Sequence, residues 1–424
     1  MSKSYTELDK QYIWHPYSPL EYGDNIVVKS AQGVYLHTCD GRKILDAISS
    51  WWVNLHGHAH PHISKAVAHQ AATMEHVIFA GFTHPPAIQL AHSLCNILPG
   101  DMKKIFFSDN GSTSVEVALK MAIQYHAIKK QHRHKIIALH GAYHGDTFGA
   151  MAVSERGIFN QHFHQYLFEV EYIPFPDAQK EDEILNILFT KLKNNSYAAF
   201  IYEPLLQGVS GMRTYSASWL DKAIHLCKEH DILCIADEVL TGFGRTGRLF
   251  ASEYMNNKPD IICLSKGLTG GYMPMGATAC NARVSDVFTF NGSKSIFYHG
   301  HSYTANPLSC AAANASLELL LEDSCQEKIQ RITKWQREFF NEIRSHPKVN
   351  SAHTLGTILS LELKSEHATE YHNVLKTQIY NFFIERNILL RPLGNIMYIL
   401  PPYAIEEKEL KNIFHNIHAF LSKI

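Results

Sequence analysis

ILCIADEVLTGFGRTG, residues 232–247, is the stretch on which the fold turns. Five apolar residues of strand length run straight into two acids, and the glycines at 242, 244 and 247 then argue against a helix directly after them. Comparable runs lie on either side: IFF at 105–107, IIAL at 136–139, AAFIY at 198–202 and IICL at 261–264. Longer stretches of helical period separate them, which predicts an α/β domain with a mostly parallel central sheet. Each run passes at once into polar, small or charged residues: Ser108 to Ser112, Gly141 to His144, Glu203, Asp237, and Ser265 with Lys266. Ligands of open parallel sheets bind beyond the carboxyl ends of the strands, so these followers should meet in one crevice.

The alternation predicts a large domain over residues 61–320. Residues 1–60 and 321–424 lack the pattern and are expected to form one smaller, discontinuous α+β domain that closes over the crevice. There is no internal repeat or low-complexity tract. The 424 residues carry 39 Lys and Arg against 40 Asp and Glu, so the chain has no broad field for polyanions, and nucleic acid is not an expected partner. Eight cysteines are scattered without the short paired spacings of a zinc site or disulfide framework, which fits a reducing cytoplasm. The start, MSKSYTELDKQYIWHPY, has early acids and no apolar run of a signal peptide, and no later segment approaches a membrane span. A cytoplasmic protein without membrane contact is expected.

Lys266 follows the IICL run and precedes Gly-Leu-Thr-Gly-Gly, small residues that let a bulky ligand approach the backbone. Buried beside such a ligand, its amine would lose affinity for its proton and could form a Schiff base near neutral pH. Asp237 closes an apolar run in which a carboxylate needs a cation, and the protonated ring nitrogen of pyridoxal phosphate is such a cation. Gly111 and Ser112 open a helical stretch in which Val115, Ala118, Ala122 and Tyr125 recur at helical spacing; a helix start there suits a phosphate. Tyr143, in HGAYHGDTFGA at 140–150, could lay its ring against a planar cofactor. His144 and Asp146 are expected only to order this loop. HGHAHPH at 56–62 places four histidines at alternating positions, but its glycine and proline oppose a regular strand and 27 histidines in the chain make clusters by composition. No metal site is expected.

DEVLTGFGRTG at 237–247, followed 29 residues after Asp237 by Lys266 in LSKGLTGG, resembles the class III, fold-type I aminotransferases. The similarity runs from IWHPY at 13–17 to LPPY at 400–403 and takes in HGHSYTANPL at 299–308. It implies a pyridoxal-phosphate enzyme, a homodimer with sites at the subunit interface, and small-molecule substrates. By this resemblance Lys266, Asp237 and Tyr143 form the catalytic set, and Gly111, Ser112 and Ser302 hold the phosphate, Ser302 from across the dimer. Glu203 and Arg245 support them.

Within the class, IWHPY, SSWWVNLHGHAHP at 49–61, GDTFGAM at 145–151 and RPLGN at 391–395 are similar to members that aminate 8-amino-7-oxononanoate in biotin synthesis, with S-adenosylmethionine as donor. A long aliphatic acid needs an apolar slot and a distant cation. Tyr17, Trp51 and Trp52 can wall the slot, Arg391 can grip the carboxylate, and Gly300 is expected to touch substrate beside Tyr143 and Lys266. Leu240 stands where members acting on ornithine commonly have Gln, which agrees with this assignment. His301 stands where many adenosylmethionine-using members have Pro, which leaves lysine as an alternative donor. A broad ω-aminotransferase acting on diamines or 4-aminobutyrate-like substrates is the alternative activity.

Overall fold

A computed structural model describes residues 4–20, 23–194, 196–289, 295–365 and 373–424. Its centre is a sheet of seven strands: β1 Met102–Ser108, β2 Lys135–Leu139, β3 Val170–Ile173, β4 Tyr197–Tyr202, β5 Leu233–Asp237, β6 Ile261–Leu264 and β7 Gly276–Asn281. Their spatial order is β1-β7-β6-β5-β4-β2-β3. Every pairing from β6 through β3 is parallel. β7 alone runs against the rest, antiparallel to both β6 and β1. The α/β fold expected from the strand runs is therefore the fold observed.

Alternation along these strands explains why the sheet is stable. Leu233, Ile235, Ile261 and Cys263 join the apolar cluster on one face, with Val115, Ala118 and Ala122 of the helix Gly111–Ile128. Cys234, Ala236, Ile262 and Leu264 join the cluster on the other face. All residues of β4, β5 and β6 are buried, as central strands covered on both faces must be. The polar residues that follow them can reach water or a ligand only at the strand ends.

Two smaller sheets lie outside this core. Val28–Gln32, Tyr35–Thr38 and Lys43–Asp46 make a meander whose last strand pairs in parallel with Ile388–Leu389. Val349–Leu355, Ile358–Leu363 and Ile396–Ile399 make an antiparallel sheet of three strands. The two ends of the chain thus share hydrogen-bonded structure. Among the described residues no helix is long and apolar enough to cross a membrane.

Candidate active site

The carboxyl ends of β1, β2, β4, β5 and β6 open on one cavity of about 470 Å³. Lys266, Asp237, Tyr143, Gly111, Ser112 and Trp52 all line it. These are residues that the sequence pointed to from five separate stretches.

Lys266 begins a short 3-10 turn directly after β6 and has a left-handed backbone, φ 44°. Burial drives its ammonium down to about 8, against the pull of Asp237 and Glu203. Its Nζ lies 4.4 Å from the centre of the Trp52 ring. An amine that gives up its proton more readily than an ordinary lysine and faces a cavity is suited to carry an aldehyde.

Asp237 ends β5 and is only 5% exposed. Its Oδ1 accepts the N–H of Val239 at 3.1 Å, and its Oδ2 lies 2.7 Å from His144 Nδ1. His144, itself buried, donates its backbone N–H to Ser154 Oγ at 2.8 Å. The histidine was expected to do no more than order its loop; instead it grips the carboxylate that faces the cavity. Their separation of 93 residues left no local spacing to reveal it.

The helix Gly111–Ile128 points its N-terminus at the same space, capped by Asn110 Oδ1 on the N–H of Thr113 at 2.9 Å. Among the described residues the N–H groups of Gly111 and Ser112 have no acceptor, which leaves two donors at the positive end of the helix for an anion. A Cβ on Gly111 would lie 2.9 Å from a methyl of Val239, so no larger residue fits where helix and β5 loop converge. Phosphate donors, an anchored carboxylate and a depressed lysine in one cavity fit a phosphorylated pyridine aldehyde.

Glu203, the residue after β4, binds two walls together. Oε1 accepts the N–H of Tyr143 at 3.0 Å and Oε2 the N–H of Gly208 at 2.9 Å. Burial pushes its carboxyl up to about 7. Arg245 is also buried, and its guanidinium donates to the carbonyls of Pro401, Trp52 and Asn54 at 3.0 to 3.2 Å. It braces the wall and does not line the cavity.

A second space of about 430 Å³ continues from Lys266 and Trp52 to Arg391, walled by Tyr17, Trp51 and Tyr398. Trp52 and Tyr398 meet edge to face with centroids 6.0 Å apart, as do Tyr17 and Trp51 at 5.5 Å. The Tyr17 hydroxyl also bonds to Asp146 and lies 3.1 Å from the Tyr143 hydroxyl. Arg391 lies 4.5 Å from the centre of the Trp51 ring, and no acid among the described residues pairs with it. Both tryptophans sit on an unusual backbone. Ser49, Ser50, Trp51 and Trp52 have φ of 53°, 44°, 71° and 76°, a left-handed turn without glycine that costs roughly 1–2 kcal/mol per residue.

Gly300 and Ser302 stand apart. Both are exposed and neither lines the cavities of their own chain. The histidines of HGHAHPH disperse: His56 lies 3.0 Å from Ser316 Oγ, His58 2.9 Å from Asp46, and His62 2.8 Å from Glu318. No group of His, Cys, Asp and Glu among the described residues could hold a metal ion.

Fold and cavity together define a class. The model of the class-III aminotransferases matches residues 18–421, and the chain belongs to that family: it is an aminotransferase. It is 46% identical to the adenosylmethionine-8-amino-7-oxononanoate aminotransferase of Synechococcus elongatus, over 97% of this chain and 99% of the relative. Among solved structures, the enzyme of the same name from Methanocaldococcus jannaschii is 33% identical, covers 99% of this chain and 98% of its own, and superposes with a TM-score of 0.94. An amine transaminase from an uncultivated Pseudomonas species, solved in a PLP-bound form, is 27% identical with a TM-score of 0.91, over 97% of this chain and 98% of its own.

Proposed function

We propose that this chain transfers an amino group to 8-amino-7-oxononanoate in biotin synthesis, with pyridoxal phosphate on Lys266 and S-adenosylmethionine as donor. The observation that carries this reading is the aromatic slot that leads from Lys266 to Arg391. It suits a long aliphatic chain that reacts at one end and bears a carboxylate at the other. The names of the similar proteins support the same substrate pair.

When bound, pyridoxal phosphate supplies an aldehyde that stores one amino group and a cationic ring that draws electrons from the reacting carbon. Gly111 and Ser112 hold the phosphate through backbone N–H groups. Asp237 keeps a proton on the ring nitrogen, and His144 holds Asp237 in place. Lys266 would carry the cofactor at rest, and its Nζ, when free, would move the proton from and to the amine-bearing carbon. Tyr143, Trp52 and Tyr17 exclude water while this happens. Ser302 and Gly300 serve the neighbouring site in a cytoplasmic homodimer.

Only a neutral amine attacks an aldehyde, so capture of pyridoxal phosphate by the cofactor-free chain should follow the Lys266 titration. The capture rate is expected to rise about tenfold per pH unit below the lysine pKa, which burial brings to about 8, and to level off above it. Stopped-flow absorbance checks this; a rate still climbing near pH ~10 would mean an ordinary lysine.

Arg391→Ala should raise the KM for 8-amino-7-oxononanoate by about tenfold to a hundredfold, the worth of a charged hydrogen bond, with a smaller change in kcat. Steady-state kinetics at fixed donor measure it.

Single-turnover spectroscopy tests the assignment as a whole. Holoenzyme mixed with S-adenosylmethionine should lose its visible band and regain it on addition of 8-amino-7-oxononanoate. Loss of the band with lysine alone would make lysine the donor. If a short keto acid restored the band and 8-amino-7-oxononanoate did not, the chain would be a broad ω-aminotransferase.

A further inference from the structure

Trp51 and Trp52 owe their place in the slot to a backbone that residues other than glycine rarely adopt. Nothing in Ser-Ser-Trp-Trp prefers that conformation, so the turn has to be held from outside. Arg245 meets it at the Trp52 carbonyl and Leu400 at Ser49 Oγ, and the side chain at its start is Asp46, a carboxylate with no exposed surface. Its Oδ1 accepts the N–H of Ile48 at 3.1 Å, just before the turn. Its Oδ2 accepts from Ser50 Oγ, inside the turn, at 2.9 Å and lies 2.9 Å from His58 Nε2. Asn54 Nδ2 lies 3.3 Å from His58 Nδ1 and can donate to it, which leaves Nε2 to carry the proton toward Asp46.

The same residue is fixed on its other side. Asp46 pairs with Leu389 across the parallel strands, and Ala47 donates its N–H to the Leu389 carbonyl at 3.1 Å. Two residues further along that strand's path stands Arg391. The Asp46 side chain thus holds the tryptophan turn, while its backbone lies in the strand paired with Ile388–Leu389, the segment that leads to Arg391.

We propose that Asp46 is a positioning residue that sets the chain-length selectivity of the acceptor slot, by tying the left-handed Trp51–Trp52 turn to the strand edge on which Ile388–Leu389 pairs, two residues before Arg391. It touches neither substrate nor cofactor. The proposal rests on the reading of the acceptor as a long-chain carboxylate.

The test uses holoenzyme and a series of straight-chain monocarboxylates, butyrate to nonanoate, as competitors of the acceptor. In the unaltered chain each added methylene should tighten inhibition about threefold to fourfold until the slot is full. In Asp46→Asn the amide puts an N–H group toward donors that the carboxylate accepted. The increment should fall below about twofold per methylene and nonanoate should weaken by about tenfold or more, while butyrate changes little. Glycine adopts positive φ without strain, so Asp46→Asn with Ser50→Gly should recover part of the increment; a loss of general stability alone would not restore chain-length dependence.

Thermal melting checks that Asp46→Asn folds. If it does not, Ser50→Ala, which removes one of the three bonds to Asp46, decides the matter by a partial flattening of the same series. An increment kept in full by the variants would overturn the role of Asp46 alone. An unaltered chain with no increment would overturn the long-chain reading and the proposal with it.

Discussion

Lys266→Ala should lower transamination by about 10⁴-fold, the upper range for removal of a general base, and should abolish the visible band of lysine-bound cofactor. On the proposed function Lys266 holds two duties, as attachment point and as proton carrier, and among the described residues no second amine lines the cavity to replace it. The loss should therefore appear in kcat and persist at saturating concentrations of both substrates. Added tertiary amines such as trimethylamine can move the proton but cannot condense with the aldehyde, so they should restore a fraction of the rate and none of the band. A variant that kept the band and turned over normally would remove Lys266 from the mechanism.

Asp237→Asn should cost about 10²- to 10³-fold in kcat, the usual loss when a preorganised charge at a reacting group is removed. The amide keeps the shape of the side chain and its bond to the Val239 N–H, so binding of the cofactor should suffer less than the rate. His144→Ala should give a smaller loss in the same direction, since it leaves the carboxylate in place but frees it to turn. Absorbance titration with pyridoxal phosphate separates affinity from rate. Equal losses in both for Asp237→Asn would reduce Asp237 to a cofactor anchor.

What the amino-acid sequence disclosed follows from how local each signal is. β5 and β6 stood out as ILCIA and IICL because a strand buried on both faces needs an unbroken apolar run. β7, GATACN, is equally buried, yet its small residues carry no strand signature; it fits because it lies between two other strands and needs little side chain to fill the space. Lys266 and Asp237 were legible because each follows its strand directly. His144 was not, since its bond to Asp237 exists only once β2 and β5 lie in one sheet. The left-handed turn of Ser49 to Trp52 was hidden for a different reason. No residue in it favours positive φ, and the groups that impose it come from Asp46, Arg245 and the distant Leu400.

That last contact orders events in time. Ser49 Oγ donates to the Leu400 carbonyl at 2.7 Å, 351 positions away along the chain, and the Lys43–Asp46 strand has its outer neighbour in Ile388–Leu389. During synthesis the tryptophan pair and Asp46 emerge early, but Ile388–Leu389 and Leu400, which complete the brace, leave the ribosome only near the end of translation. A nascent chain can build the strands of the central sheet well before it has an acceptor slot. The slot is completed last, when Ile388–Leu389 and Leu400 return to the strand and turn near the start of the chain.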